Sequence, residues 1–163
     1  MGRWTARQVL AAMPRERRVE AIRAFWDDPR LRRADRIAAL EPWLRARGMR
    51  AAFLDRLPRA RRAELMADTA LPEDTAHQVL MSWHLVRRRP LLERFLDLLG
   101  IEHDEGVIEH AFEPPAAEDV SRAIDTLRQE FDAEDVETYL RTLTASDPVS
   151  WAAVAERIED PGT

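Results

Sequence analysis

The sequence predicts an all-α fold, an irregular bundle of about eight or nine short helices, and three observations carry that prediction. Apolar residues recur at spacings of three and four along nearly the whole chain. Prolines and acidic residues stand where helices would open, and glycines where they would close. No stretch alternates polar and apolar residues as a strand does, apart from a short extended stretch expected at Val107-Ile108.

Thr5 to Gln8 has the spacing of a capping box, and Val9, Leu10 and Met13 follow on one face. Pro14 opens a second helix, with Val19, Ile22 and Trp26 inward. Asp28-Pro29 reads as the N-cap and first residue of a third helix, with Ala34, Ile37 and Leu44 as its apolar positions. Pro42 should kink or break that helix, because proline lacks an amide hydrogen and its ring strikes the carbonyl four residues back. Gly48 is its expected stop. Met49, Phe53 and Leu57 make a short fourth helix, and Pro58 starts a fifth that ends near Ala67.

Pro72, Glu73 and Asp74 then set a rigid start and two acids in a first turn, which suits the positive end of a helix dipole. Val79, Leu80, Trp83 and Val86 follow on one face, Pro90 restarts the chain, and Leu91, Leu92, Phe95, Leu96 and Leu99 form a broad apolar surface closed by Gly100. Residues 101–115 read as the one long irregular segment, and Pro114-Pro115 as a hinge. Beyond it stand three amphipathic helices: Val120, Ile124, Leu127 and Phe131; Val136, Tyr139, Leu140 and Leu143 behind an Asp132 N-cap; and Trp151, Val154 and Ile158 after Asp147-Pro148. Residues 160–163 are expected to be disordered. This divides the chain into a basic-to-neutral body, 1–113, and an acidic three-helix lobe, 114–163. Phe53-Leu54-Asp55 recurs as Phe95-Leu96-Asp97, and Tyr139-Leu140 repeats the spacing, so an array of HEAT-like helical hairpins is the alternative architecture.

Charge is split along the length. Residues 1–62 hold 17 of the 25 basic residues and 7 of the 30 acidic ones, which the overall net of −5 conceals. Every basic residue is arginine, and the chain has neither lysine nor asparagine, a bias typical of a GC-rich bacterial genome. Arg17, Arg18, Arg30, Arg32, Arg33, Arg36, Arg59, Arg61 and Arg62 form an arginine-rich region able in principle to neutralise phosphates, although acids are interleaved with them. The alternative is a solvated face that pairs with the acidic half, residues 63–163. Arg89 is expected to reach Asp97 or the acids of residues 102–105 in a buried tie.

Catalytic signals are sparse. With no cysteine, disulfides, thiolate metal sites and thiol catalysis are excluded. There is no Gly-x-Ser-x-Gly and no phosphate-cradling glycine loop. His84, Asp97, His103, Glu105 and His110 are the candidate metal ligands, but their spacing matches no established metal motif, and no cofactor is expected. No apolar run nears the roughly 18 residues that span a bilayer, and the first residues do not read as a secretory signal, so a cytoplasmic protein is expected.

The stretch from His84 through Arg89-Pro90, Phe95-Leu96-Asp97 and Gly100-Ile101 to His103 and Gly106 resembles the central segment of a group of uncharacterised bacterial all-helical proteins. The resemblance implies a bacterial source and carries no activity, cofactor or site. The reading is a non-enzymatic helical interaction or regulatory module, with a protein partner or self-association. Nucleic-acid binding through the arginines and a metal or small-ligand site in residues 84–110 are its alternatives.

Overall fold

The computed structural model describes residues 3–161, whose regular structure is all helical, with no strand among them. Its helices are α1 (Ala6–Ala12), α2 (Arg15–Asp27), α3 (Arg33–Ala46), α4 (Ala51–Arg56), α5 (Arg59–Ala67), α6 (Glu73–Arg87), α7 (Arg89–Leu98), α8 (Ala117–Glu130), α9 (Ala133–Ser146) and α10 (Ala152–Ala155). Two compact units share them. Residues 6–86 make the first, and residues 87–161 with 3–5 make the second, so the division falls at the α6–α7 junction and the 113/114 boundary expected from the sequence lies inside the second unit. The expectation of disorder at the end of the chain extends to residues 162 and 163, outside the described residues.

In the first unit α2 packs along α5, and α6 supplies the most enclosed helix, with Thr75, Ala76, Val79, Leu80, Ser82, Trp83, His84 and Leu85 all buried. Glu73, in the first turn of α6, accepts from the amides of Ala6 (2.7 Å) and Arg7 (3.1 Å). It thereby satisfies donors that the start of α1 leaves without intrahelical partners.

Three helix readings are corrected here. Asp28 closes α2 rather than opening α3, which begins five residues later at Arg33 behind Arg32 as N-cap. The inward aromatic of α2 is Phe25, fully buried, whereas Trp26 is half-buried against its edge, 5.6 Å between centroids. Pro42 does not break α3. It lies on the exposed side, and the carbonyl of neighbouring Ala39 accepts from the Thr75 hydroxyl at 2.6 Å. The buried face of α3 accordingly runs through Leu40, Trp43 and Leu44, leaving Ala34 exposed and Ile37 half-buried.

An aromatic cluster organises the second unit. Phe95 of α7 stands edge-on to Tyr139 of α9 (5.7 Å) and beside Trp151 (5.8 Å) ahead of α10. Burial of Tyr139 pushes its phenol well above the ordinary range. Asp132 caps α9 as its sequence position promised, accepting from Glu134 and Asp135 amides, both at 3.1 Å. Asp147 folds the next turn by accepting from the amides of Val149 and Ser150, and that turn occupies most of the segment read as a third helix, leaving α10 four residues. Ion pairs tie the helices together: Arg94 to Glu130 (2.8 Å), Arg128 to Glu137 (2.6 Å), Arg157 to Asp125 (2.7 Å) and, partly buried, Arg88 to Asp135 (2.7 Å). Trp4 joins this unit, its indole donating to the Glu159 carbonyl at 2.7 Å under the Arg141 guanidinium.

The irregular segment after Gly100 is anchored inside the second unit. Phe112 lies against Trp151, 5.2 Å between centroids, so the stretch before Pro114-Pro115 is packed rather than a bare tether. The expected extension at Val107-Ile108 reduces to a single bridge between Asp104 and Val107. The repeat register also fails. Phe53 is 46% exposed, while its counterparts Phe95 and Tyr139 are buried, and the three motifs sit on helices of 6, 10 and 14 residues.

Candidate interaction surface

The arginines of the first unit are mostly spent on holding it together, in two ways. Some pair with carboxylates of the same unit. Arg15 clasps Asp68 through two parallel bonds (2.7 and 2.8 Å), Arg33 meets Asp55 (2.5 Å), Arg59 meets Asp27 (3.4 Å) and Arg61 meets Glu64 (2.9 Å). Arg32 and Asp35 form a reciprocal box at the start of α3. Hydrogen bonds from Arg15 and from Arg32 hold the Asp68 and Asp35 carboxyls below the usual carboxylate range.

Others close helix C-termini. Arg18 donates to the Ala11 carbonyl of α1 (3.2 Å). Arg36 donates to the Phe25 (3.3 Å) and Asp28 (2.6 Å) carbonyls at the end of α2. Arg62 does the same for α4 through Asp55 (3.2 Å) and Leu57 (2.9 Å), while its guanidinium stacks over Trp26. Terminal carbonyls lack intrahelical donors and carry the negative end of the dipole, so a guanidinium meets both needs. Five helices within residues 6–67 create many such ends, which accounts for much of the arginine content there.

The most enclosed charge is Asp28, with no solvent exposure. Its carboxylate accepts from the Arg30 amide (3.0 Å), from Arg30 Nε (2.9 Å) and Nη2 (2.5 Å), and from the Ser82 hydroxyl (2.7 Å). Burial works to raise its pKa, but the Arg30 and Ser82 hydrogen bonds outweigh burial and hold it below the usual carboxylate range. The centre joins the end of α2, the turn before α3 and the middle of α6. Sequence reading missed it because Asp-Pro is a common helix-opening pair and nothing local announces burial.

Of the nine arginines singled out by sequence, Arg18, Arg30, Arg32, Arg33, Arg36, Arg59, Arg61 and Arg62 therefore have partners inside their own unit, and Arg17 also has an interaction. Among the exposed arginines of the unit that make no ion pair among the described residues, Arg50 and Arg56 border α4. Phe53 and Arg56 lie one turn apart on α4 and Arg50 precedes the helix as its N-cap, all three exposed, while Leu54 is buried. Neither Arg50 nor Arg56 makes an ion pair among the described residues, and Asp55 beside them is already taken by Arg33. The first unit carries 16 arginines against 11 acidic residues. An exposed aromatic flanked by guanidiniums has the composition of an interface anchor, since both residue types are enriched where binding energy concentrates.

The five candidate ligands of residues 84–110 do not assemble. His84 is enclosed in α6 of the first unit, while the others belong to the second. Asp97 and His103 do meet, at 3.2 Å. The other ring nitrogen of His103, Nδ1, accepts the Gly106 amide at 3.1 Å, so Nε2 is the nitrogen that donates to Asp97. Glu105 is taken by Arg89 at 3.0 Å, a tie that the sequence anticipated but that lies at the surface rather than buried. His110 is exposed. Among the described residues no three histidine, aspartate or glutamate side chains gather as a metal site would require. The histidine instead braces a tight turn in which Glu105 (φ 48°) and Gly106 (φ 87°) are both left-handed.

No family model matches the chain, and neither a curated protein nor a solved structure matches it.

Proposed function

We propose that this chain is a non-enzymatic interaction or regulatory module of a bacterial cytoplasm, docking an acidic protein surface on the arginine-flanked face of α4. The observation that carries this reading is the distribution of guanidinium partners: the candidate phosphate contacts are engaged within the fold, whereas Arg50 and Arg56 flank an exposed Phe53 with no carboxylate of their own. A nucleic-acid surface needs several uncommitted cations along a backbone, with counterions to release. A protein partner needs fewer charges around an apolar anchor. The bacterial and cytoplasmic parts of the reading rest on the arginine-only basic complement, the cysteine-free composition and the resemblance of the 84–106 stretch. No helix among the described residues is long and apolar enough to cross a membrane.

A fluorescence-anisotropy titration with a labelled glutamate-rich peptide carrying one central leucine tests the docking claim. Binding should weaken at least tenfold in the Arg50→Glu, Arg56→Glu variant, whose two substitutions lie at exposed positions outside the packing of the unit. Equal binding by that variant, or no binding by the unaltered chain, would overturn the proposal.

A further inference from the structure

The second unit holds 19 acidic residues against 9 arginines, the opposite balance to the first. It also bears the most exposed large apolar side chain described, Val149, 78% exposed at the tip of the Asp147–Ser150 turn. The turn is held by the Asp147 carboxylate, which accepts from the amides of Val149 and Ser150, and the Ser150 side chain, these bonds and the nearby Arg3 charge keep it below the usual carboxylate range. The net-basic first unit thus exposes Phe53, and the net-acidic second unit exposes Val149 and, less fully, Val107.

We infer that copies of this chain associate head to tail, the Arg50–Phe53–Arg56 face of one copy receiving the Val149 turn of the acidic unit of the next. This inference rests on the docking role assigned above to α4 and names the occupant of that face. Two different patches make such a contact heterologous, so each copy keeps one used and one open surface, and assembly continues or closes into a ring. With one apolar anchor on each side the contact is small, in the range of transient interfaces, and its charge component is screened by salt.

Sedimentation velocity across a concentration series tests the arrangement with two single variants, Phe53→Asp and Val149→Gln, both at exposed positions whose change leaves the cores intact. The unaltered chain should show a rising sedimentation coefficient with concentration, lost at high salt. Each variant alone should remain a monomer. Mixed in equal amounts they should form a one-to-one dimer and nothing larger, because each retains the surface that the other has lost. A monomeric unaltered chain, association that survives in either variant, or a mixture that stays monomeric would overturn the inference. Binding of the glutamate-rich peptide by a chain that stays monomeric would leave the docking role of α4 standing without self-association. Failure of both would remove the two together.

Discussion

Deleting the Ser82 hydroxyl isolates one hydrogen bond to a buried charge. Ser82 donates to Asp28 at 2.7 Å with both residues enclosed, and the other donors to that carboxylate all belong to Arg30. A hydrogen bond to an ionised group contributes about 1.5–3 kcal/mol. Arg30 stays in place in Ser82→Ala and still neutralises the carboxylate, so a cost of about 2 kcal/mol is expected. In a chain of this length that lowers Tm by about 4–8 °C. Asp28→Ala removes the acceptor from all four donors, and breaking a buried pair costs about 3–5 kcal/mol. The Arg30 side chain is 40% exposed and rehydrates, which places the expected value at the low end of that range. Once Asp28 is gone the Ser82 hydroxyl has lost this partner. The double variant should therefore cost little more than Asp28→Ala alone, a coupling of about 2 kcal/mol. Urea unfolding followed by circular dichroism measures all four corners of the cycle. Costs that add would refute the assignment of Ser82 and Asp28 to one polar centre. The same centre sets an acid dependence. Because the folded pKa of Asp28 is depressed, its stabilisation is complete above the unfolded value of about 3.9 and is lost as pH falls through the folded value. Asp28→Asn should flatten that part of the pH profile.

Two further substitutions probe local structure. Gly100 has φ +65° and open space where a Cβ would stand, so Gly100→Ala should cost about 1–2 kcal/mol from backbone conformation alone, read from the urea midpoint. Asp132→Ala removes the side-chain cap of α9 and should cost about 1 kcal/mol, whereas Asp132→Ser should retain most of the stability in the same assay.

The helices were legible because their cues are local. Pro58 before α5, the Pro72-Glu73-Asp74 start of α6, the restart at Pro90, the stop at Gly100 and the Asp132 cap each act within one turn of the residue that carries them. Where a distant residue decides, local cues mislead. Pro42 stands within α3 beside a carbonyl bonded by Thr75, 36 residues away from it in sequence. Asp28 is buried because Ser82 and Arg30 converge on it. Phe53 and Leu54 are adjacent apolar residues that both suit a core, and it is Leu54 that the fold turns inward. The arginine-rich half illustrates the same limit for function. A count of cations resembles a polyanion site until each guanidinium is followed to its partner, and most lead to helix ends and carboxylates a few residues or one helix away. The candidate metal ligands share a stretch of chain, yet only Asp97 and His103 meet.

The central claim is that most of these arginines serve the fold and that, among the described residues, Arg50 and Arg56 border the exposed Phe53 without an ion pair of their own. The most direct test is the salt dependence of single-stranded RNA binding, measured by anisotropy from low to moderate ionic strength. Engagement of Arg50 and Arg56 alone predicts a log–log slope of about −1 to −2, at roughly −0.7 per phosphate neutralised. A slope near −6, as the nine arginines singled out by sequence would give together, would contradict the account and make the first unit a nucleic-acid surface.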